Sequence, residues 1–228
     1  MINSCFPCKF LPFLRSMVGS IEYLLRKLGN IPFDVSVLKS LIPRSRAPQE
    51  VVLYLERQGK IIRLKRGLYV VNPEISGLAY SDFLIANHLY GPSYVTMHAA
   101  LRFYGLIPES VHLVDSMTLG RSREYRCDAG VFRYTHCPED YYSIGTHIGH
   151  REKDSFIIAT PEKALCDLIV STANLNLRST RETLSYLEDD MRIDLERVRE
   201  MDTAIFEECL SCCKKKTMIG NIIKIIKG

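Results

Sequence analysis

Residues 59–71, GKIIRLKRGLYVV, set four cations, Lys60, Arg63, Lys65 and Arg66, among residues that are mostly strand formers. Two short β-rich runs, Ile61–Leu64 and Leu68–Val71, flank Lys65, Arg66 and Gly67. A glycine at the end of such a turn supplies any positive φ that the turn needs, so the stretch predicts a tight, positively charged hairpin.

Three short helices are predicted before it. In SIEYLLRKL (20–28), Ile21, Leu24, Leu25 and Leu28 recur at the spacing of one helical face, and Gly29–Asn30 ends the run. Asp34 stands as N-cap to a second helix with Val35 and Leu38 inward, closed by Pro43. In RSRAPQEVVLYLERQG, Ala47, Val51, Tyr54 and Leu55 form a third stripe that Gly59 ends. Three helices closed by a hairpin is the order of a winged helix-turn-helix, in which the third helix enters the DNA major groove and the wing reaches over the neighbouring backbone. Arg44, Ser45 and Arg46 would then meet phosphate before the third helix and Gln49 a base edge in its first turn, with Arg57, Lys60, Arg63, Lys65 and Arg66 as a basic rim. The alternative is a solvated charged surface on a domain that binds protein.

Charge is divided along the chain. Residues 19–71 hold ten Lys and Arg against four acids, and residues 72–213 hold thirteen against twenty-two, within a formal net charge of +4. A basic N-terminal piece on an acidic body suits a polyanion for the first and a different partner for the second. The 228 residues, 46% hydrophobic, suffice for a real core in one large or two small domains. No apolar run approaches the roughly 18 residues of a membrane span, and Lys9 and Arg15 interrupt the mildly apolar opening segment, so a cytoplasmic protein without a membrane partner is expected. The first 18 residues read as a poorly ordered extension, and Met17 is an alternative start. Among the eight cysteines, the pairs Cys5/Cys8 and Cys209/Cys212 lie at opposite ends of the chain. Zinc ligand pairs normally gather within a few tens of residues, so reduced thiols and no metal or cofactor are expected.

Beyond NPEISG the body reads as α+β. A helix is predicted over 80–89, and Thr96 is placed as N-cap of another that ends at Gly105. Residues 111–158 carry successive β-rich runs: VHLVDSMTL, REYRC, VFRYTHC, IGTHIG and SFIIA. TPEKALCDLIVSTA opens with Thr160 as N-cap and Pro161 at the first helical position, and two further helices follow. In the tail KKKTMIGNIIKIIKG, Ile219, Ile222, Ile223 and Ile226 fall on one face among lysines. Such a helix can bind a membrane surface, nucleic acid or an acidic partner, or dock on this protein's own acidic body. The predicted architecture is thus an N-terminal winged helix-turn-helix (19–73), an α+β domain with a mainly antiparallel sheet and C-terminal helices (74–213), and a basic amphipathic tail (214–228).

Three segments in this order, RLKRGLYVV, SYVTMHAALRFYGLIPESV and TPEKALCDLI, resemble the AbiEi family of antitoxins and transcriptional regulators from bacterial abortive-infection systems. The likeness spans about residues 20–175 and leaves out both ends. It implies an N-terminal domain that binds operator DNA and represses the antitoxin–toxin operon. It also implies a C-terminal domain that acts against a nucleotidyltransferase-like toxin encoded beside it. Lys65, Arg66, Gly67 and Tyr69 match the family's wing, the last two as structural positions. Leu101, Leu106, Pro161, Ala164 and Leu165 match core and cap positions without a catalytic role.

Two enzyme-like patterns lack their context. HIGH, His147–His150, spells a signature of class I aminoacyl-tRNA synthetases but sits inside a predicted β run rather than between a first strand and a helix. Glu162, Lys163 and Asp167 share one helix and are of the residue types that nucleases use, yet a separation of five turns the two carboxylates to different faces. No phosphate-binding glycine loop or nucleophile elbow appears, and no catalytic residue is assigned.

Overall fold

The computed structural model describes residues 21–41, 47–108 and 113–228, which form two compact units. The first comprises the described residues up to Ser81 together with 127–129; the second comprises Asp82–Arg126 and Gly130–Gly228.

In the first unit, helix α1 (21–28) buries Ile21 and Leu25 and stops at Gly29, whose φ of +64° reverses the chain. Strand β1 (Phe33–Asp34) leads directly into α2 (Val35–Leu41). Asp34 caps that helix as expected: its Oδ1 accepts from the backbone N–H of Ser36 (2.6 Å) and of Val37 (3.2 Å) and from the Ser36 hydroxyl. Helix α3 (Pro48–Arg57) starts on a proline and turns Val51, Val52 and Leu55 inward. Strands β2 (Ile61–Lys65) and β3 (Leu68–Val71) then form the hairpin, and the sheet order is β1-β3-β2. Phe33, Leu38, Val51, Leu55, Ile61, Tyr69 and Val71 belong to one core that all three helices and the sheet share. The unit runs past the boundary at 73 expected from sequence. Asn72 accepts from Glu74 N to cap the single turn α4 (Pro73–Ser76) and donates from Nδ2 to Gly59 O (2.7 Å).

The second unit is α+β, with a mainly antiparallel six-stranded sheet and C-terminal helices. Its strands are β4 (Ser93–Val95), β5 (Leu113–Thr118), β6 (Arg123–Cys127), β7 (Gly130–His136), β8 (Thr146–Arg151) and β9 (Asp154–Ala159), in the order β6-β7-β5-β4-β9-β8. Within it β5 pairs with β7, and β4 with β9, in parallel. Strand β4 is absent from the sequence reading. It has only three residues, yet it is central. Its ladder to β9 has one matched pair, Val95 and Ile158, and a side chain extends it. Asn87, on α5 (Asp82–Leu89), accepts from Ile157 N (2.6 Å) and donates from Nδ2 to Ile157 O and Ser93 O.

Thr96 does not cap α6 (Met97–Phe103) through its side chain, which corrects the expectation from sequence. Its hydroxyl instead donates to Asp167 Oδ2 at 2.6 Å. Asp167 lies on α8 (Pro161–Ser171), the helix that Thr160 caps as predicted. Neither Asp167 nor Lys163, one turn earlier, has any solvent exposure. Lys163 Nζ lies 3.4 Å from Asp167 Oδ1, donates to Tyr141 O (2.7 Å) and sits 3.0 Å from the centre of the Tyr141 ring. Burial raises the Asp167 pKa, and Lys163 and Thr96 oppose that rise. Glu162 points elsewhere, as the five-residue spacing requires, and accepts from Asp202 N (3.3 Å).

The C-terminal helices close the unit. Helices α7 (Glu139–Tyr142), α9 (Thr180–Ser185) with the π-turn Tyr186–Asp190 after it, and α10 (Leu195–Arg199) are short. Helix α11 (Thr203–Cys212) packs on α8, and α12 (Lys216–Lys227) packs on α11 and α9. The lysine–isoleucine tail is therefore an integral helix of the acidic body: Met218, Ile219, Ile222 and Ile225 are buried, and Lys227 pairs with Glu207 at 2.8 Å. Lys215 Nζ donates to Ile169 O and Thr172 O and so closes the carboxyl end of α8. Cys209 and Cys213 are buried; Cys5 and Cys8 lie outside the described residues. Among the described residues no helix is long and apolar enough to cross a membrane.

Removing one member of a buried ion pair strands the other, at about 3–5 kcal/mol, whereas replacing both with apolar residues is often nearly neutral. Asp167→Ala should therefore lose stability of that order in urea denaturation, and the Lys163→Met/Asp167→Leu double variant clearly less. Equal losses from both would show that packing volume, not charge, governs the site.

Candidate nucleic-acid interface

The hairpin is short because its geometry leaves no slack. Between Lys65 and Leu68, which pair directly, only Arg66 and Gly67 turn the chain, and Gly67 takes a φ of +84° that a side chain would strain. The register shifts between Arg63 and Lys65, which marks a bulge. Bulges twist a strand and re-aim the residues beyond them.

Its base is braced. Strand β1 pairs Phe33 with Tyr69 and Asp34 with Leu68, and Gly67 O accepts from Val35 N at 3.1 Å. The turn is thereby tied to the first residue of α2. Tyr69 is buried beside Phe33, with ring centres 6.3 Å apart, and burial raises its pKa.

Arg63 and Arg66 are exposed on this support, and Lys65 is half-buried. Gln49 and Arg57 are exposed on α3. Lys60 differs from the rest: its Nζ meets Glu22 Oε1 of α1 at 2.5 Å, with 15% of its side chain exposed. The hydrogen bond and charge of Lys60 hold the Glu22 carboxyl below its usual pKa. Part of the charge assigned to the rim is thus used to pin α1 to the residue that precedes β2. Arg44, Ser45 and Arg46 lie outside the described residues.

The sequence reading did not assign Leu53, which is 46% exposed. It stands four residues after Gln49 and four before Arg57, so the three form one outward stripe of α3, opposite Val51 and Leu55. Glu50 and Glu56, half-buried, flank the stripe. The spacing was legible in sequence; what obscured it was that a leucine in a helix with an apolar face is ordinarily assigned to that face.

No family model matches the chain, and no curated protein matches it. Among solved structures it is similar to the RV2827C protein from Mycobacterium tuberculosis, with a TM-score of 0.50 over 92% of this chain and 80% of that one. The two are 11% identical. At that identity the likeness is one of fold alone.

The Glu22–Lys60 pair gives a test of which cations are structural. An ion pair of this exposure contributes up to about 1 kcal/mol. Because the folded Glu22 pKa is depressed, its contribution is present above the unfolded carboxylate value, roughly 4.3, and is lost as pH falls through the folded value. Wild type should therefore be more stable than Glu22→Gln at neutral pH, and the two should converge in acid when their urea midpoints are compared.

Proposed function

We propose that the chain is a DNA-binding regulator whose first unit is a winged helix-turn-helix. On this reading α3 enters the major groove and the β2–β3 hairpin is the wing. The observation that carries it is the braced hairpin with Arg63 and Arg66 exposed, beside a helix whose outward stripe begins with Gln49. Cations on a short rigid hairpin suit phosphates at a fixed distance from a groove.

The resemblance of three segments to AbiEi-family regulators extends the proposal. The protein would repress its own operon and, through the acidic second unit, counteract a nucleotidyltransferase-like toxin encoded beside it. The buried Lys163–Asp167 pair has no part in this, since nothing from solvent reaches either group. Its role is to hold the second unit together.

One observation favours a second reading. Leu53 between Glu50 and Glu56 is also what a protein-docking face could present, with the winged helix as a scaffold. The two readings differ in their response to salt. Gel-shift titration against the gene's own upstream region and a scrambled duplex, at two salt concentrations, should show preferential, salt-sensitive binding to the upstream DNA. Each phosphate contact contributes about 0.9 to the slope of log K against log salt. The Lys65→Ala/Arg66→Ala double variant should therefore bind all sequences more weakly with a slope reduced by roughly 2. Absence of binding at low salt would favour the protein-docking reading. Co-expression with the neighbouring nucleotidyltransferase should restore growth if the antitoxin extension holds, and leave it arrested otherwise.

A further inference from the structure

We propose that Leu53 reads the 5-methyl group of a thymine in the operator, next to a base read by Gln49; the inference rests on the DNA-binding reading and specifies what that interface recognises. A single exposed leucine is ordinary on a protein surface. This one is distinguished by its place, in the middle of the outward stripe Gln49–Leu53–Arg57 of α3, one turn after an exposed glutamine and with Glu50 and Glu56 on its flanks.

The flanking acids decide which part of DNA such a stripe can face. Carboxylates at Glu50 and Glu56 repel phosphates, so the middle of α3 cannot rest on the backbone. Base edges in the major groove are different. Adenine and cytosine present amino donors there, and thymine presents a methyl group that apolar side chains contact. A glutamine bonds adenine through both its N6 and N7 positions. Leucine has no polar atom with which to meet any other base edge, so the thymine methyl is the partner that its chemistry selects.

Spacing limits where that thymine lies. Gln49 and Leu53 are separated by about one helical turn, roughly 5.4 Å along the axis, and base pairs rise by about 3.4 Å. The thymine therefore falls one or two base pairs from the base that Gln49 reads. Phosphate contact falls to the cations of the hairpin, where Arg63 and Arg66 are exposed.

The experiment removes the methyl group alone. A duplex is enriched from a randomised pool by the full-length protein, and each thymine in it is then replaced in turn by deoxyuridine. Losing one buried methyl should weaken wild-type binding about fourfold at one or two positions. In Leu53→Ala the duplex with thymine and the one with uracil at those positions should bind equally, while Leu53→Met, which keeps an apolar reach, should retain part of the difference. Leu53 is exposed enough for these variants to fold, and thermal melting would verify it. If wild type is indifferent to every uracil, or Leu53→Ala keeps the full difference, Leu53 does not read thymine although DNA binding stands. If no duplex is enriched at all, the DNA-binding reading itself fails and takes this inference with it.

Discussion

Lys163 and Asp167, one turn apart on α8 and without solvent exposure, tie three elements of the second unit together. Charges buried this deeply must find fixed partners. Asp167 finds Thr96 at the end of β4, and Lys163 finds the carbonyl and ring of Tyr141 on α7. Helix α8 is thereby locked to the central strand on one side and to the connection between β7 and β8 on the other. The helices that follow, α11 and α12, are laid on an element that can no longer slide. The network adds directional bonds that an apolar contact in the same place would lack.

The first unit is held by a different device. Its core is apolar throughout, and its precision comes from short backbone links: Asp34 capping α2, Gly67 O to Val35 N, and the two residue pairs of β1 with β3. The strands and helices are too short to be stable alone. Each is fixed by its neighbours, and the exposed cations inherit that rigidity. The two units thus differ in what their interiors hold, a buried ion pair in the acidic one and apolar packing in the basic one, whose Glu22–Lys60 pair lies nearer the surface.

Much of this was legible in sequence, for identifiable reasons. The hairpin declared itself because strand formers flank a single glycine-bearing turn. Asp34 and the Thr160–Pro161 pair announced helix starts because their side-chain chemistry is local. Most of the failures are tertiary, although the single turn α4 was missed despite the local signal of Asn72 and Pro73. Strand β4 is three residues between two helices, and β1 is two, too short for any period to appear. Thr96 looks like a cap until Asp167, seventy-one residues away, claims its hydroxyl. Lys163 and Asp167 have the i,i+4 spacing of an ordinary surface pair; only the packing of α6, β9 and α11 around α8 buries them. On the candidate interface, sequence identified the cations but did not separate Lys60, bound to Glu22, from Arg63 and Arg66, nor assign Leu53.

The tie between Gly67 and Val35 has a further consequence, in the entropy of association. A loop that must be ordered before it can bind loses backbone freedom at that moment, at about 1–2 kcal/mol per residue. Here that loss has already occurred in folding. Whatever the hairpin is pressed against, the exposed side chains of Arg63 and Arg66 are what remains to be immobilised, at about 0.5–1.5 kcal/mol each. Two exposed side chains on a stiff support can then engage a surface briefly, release it and engage the next site without the hairpin itself refolding.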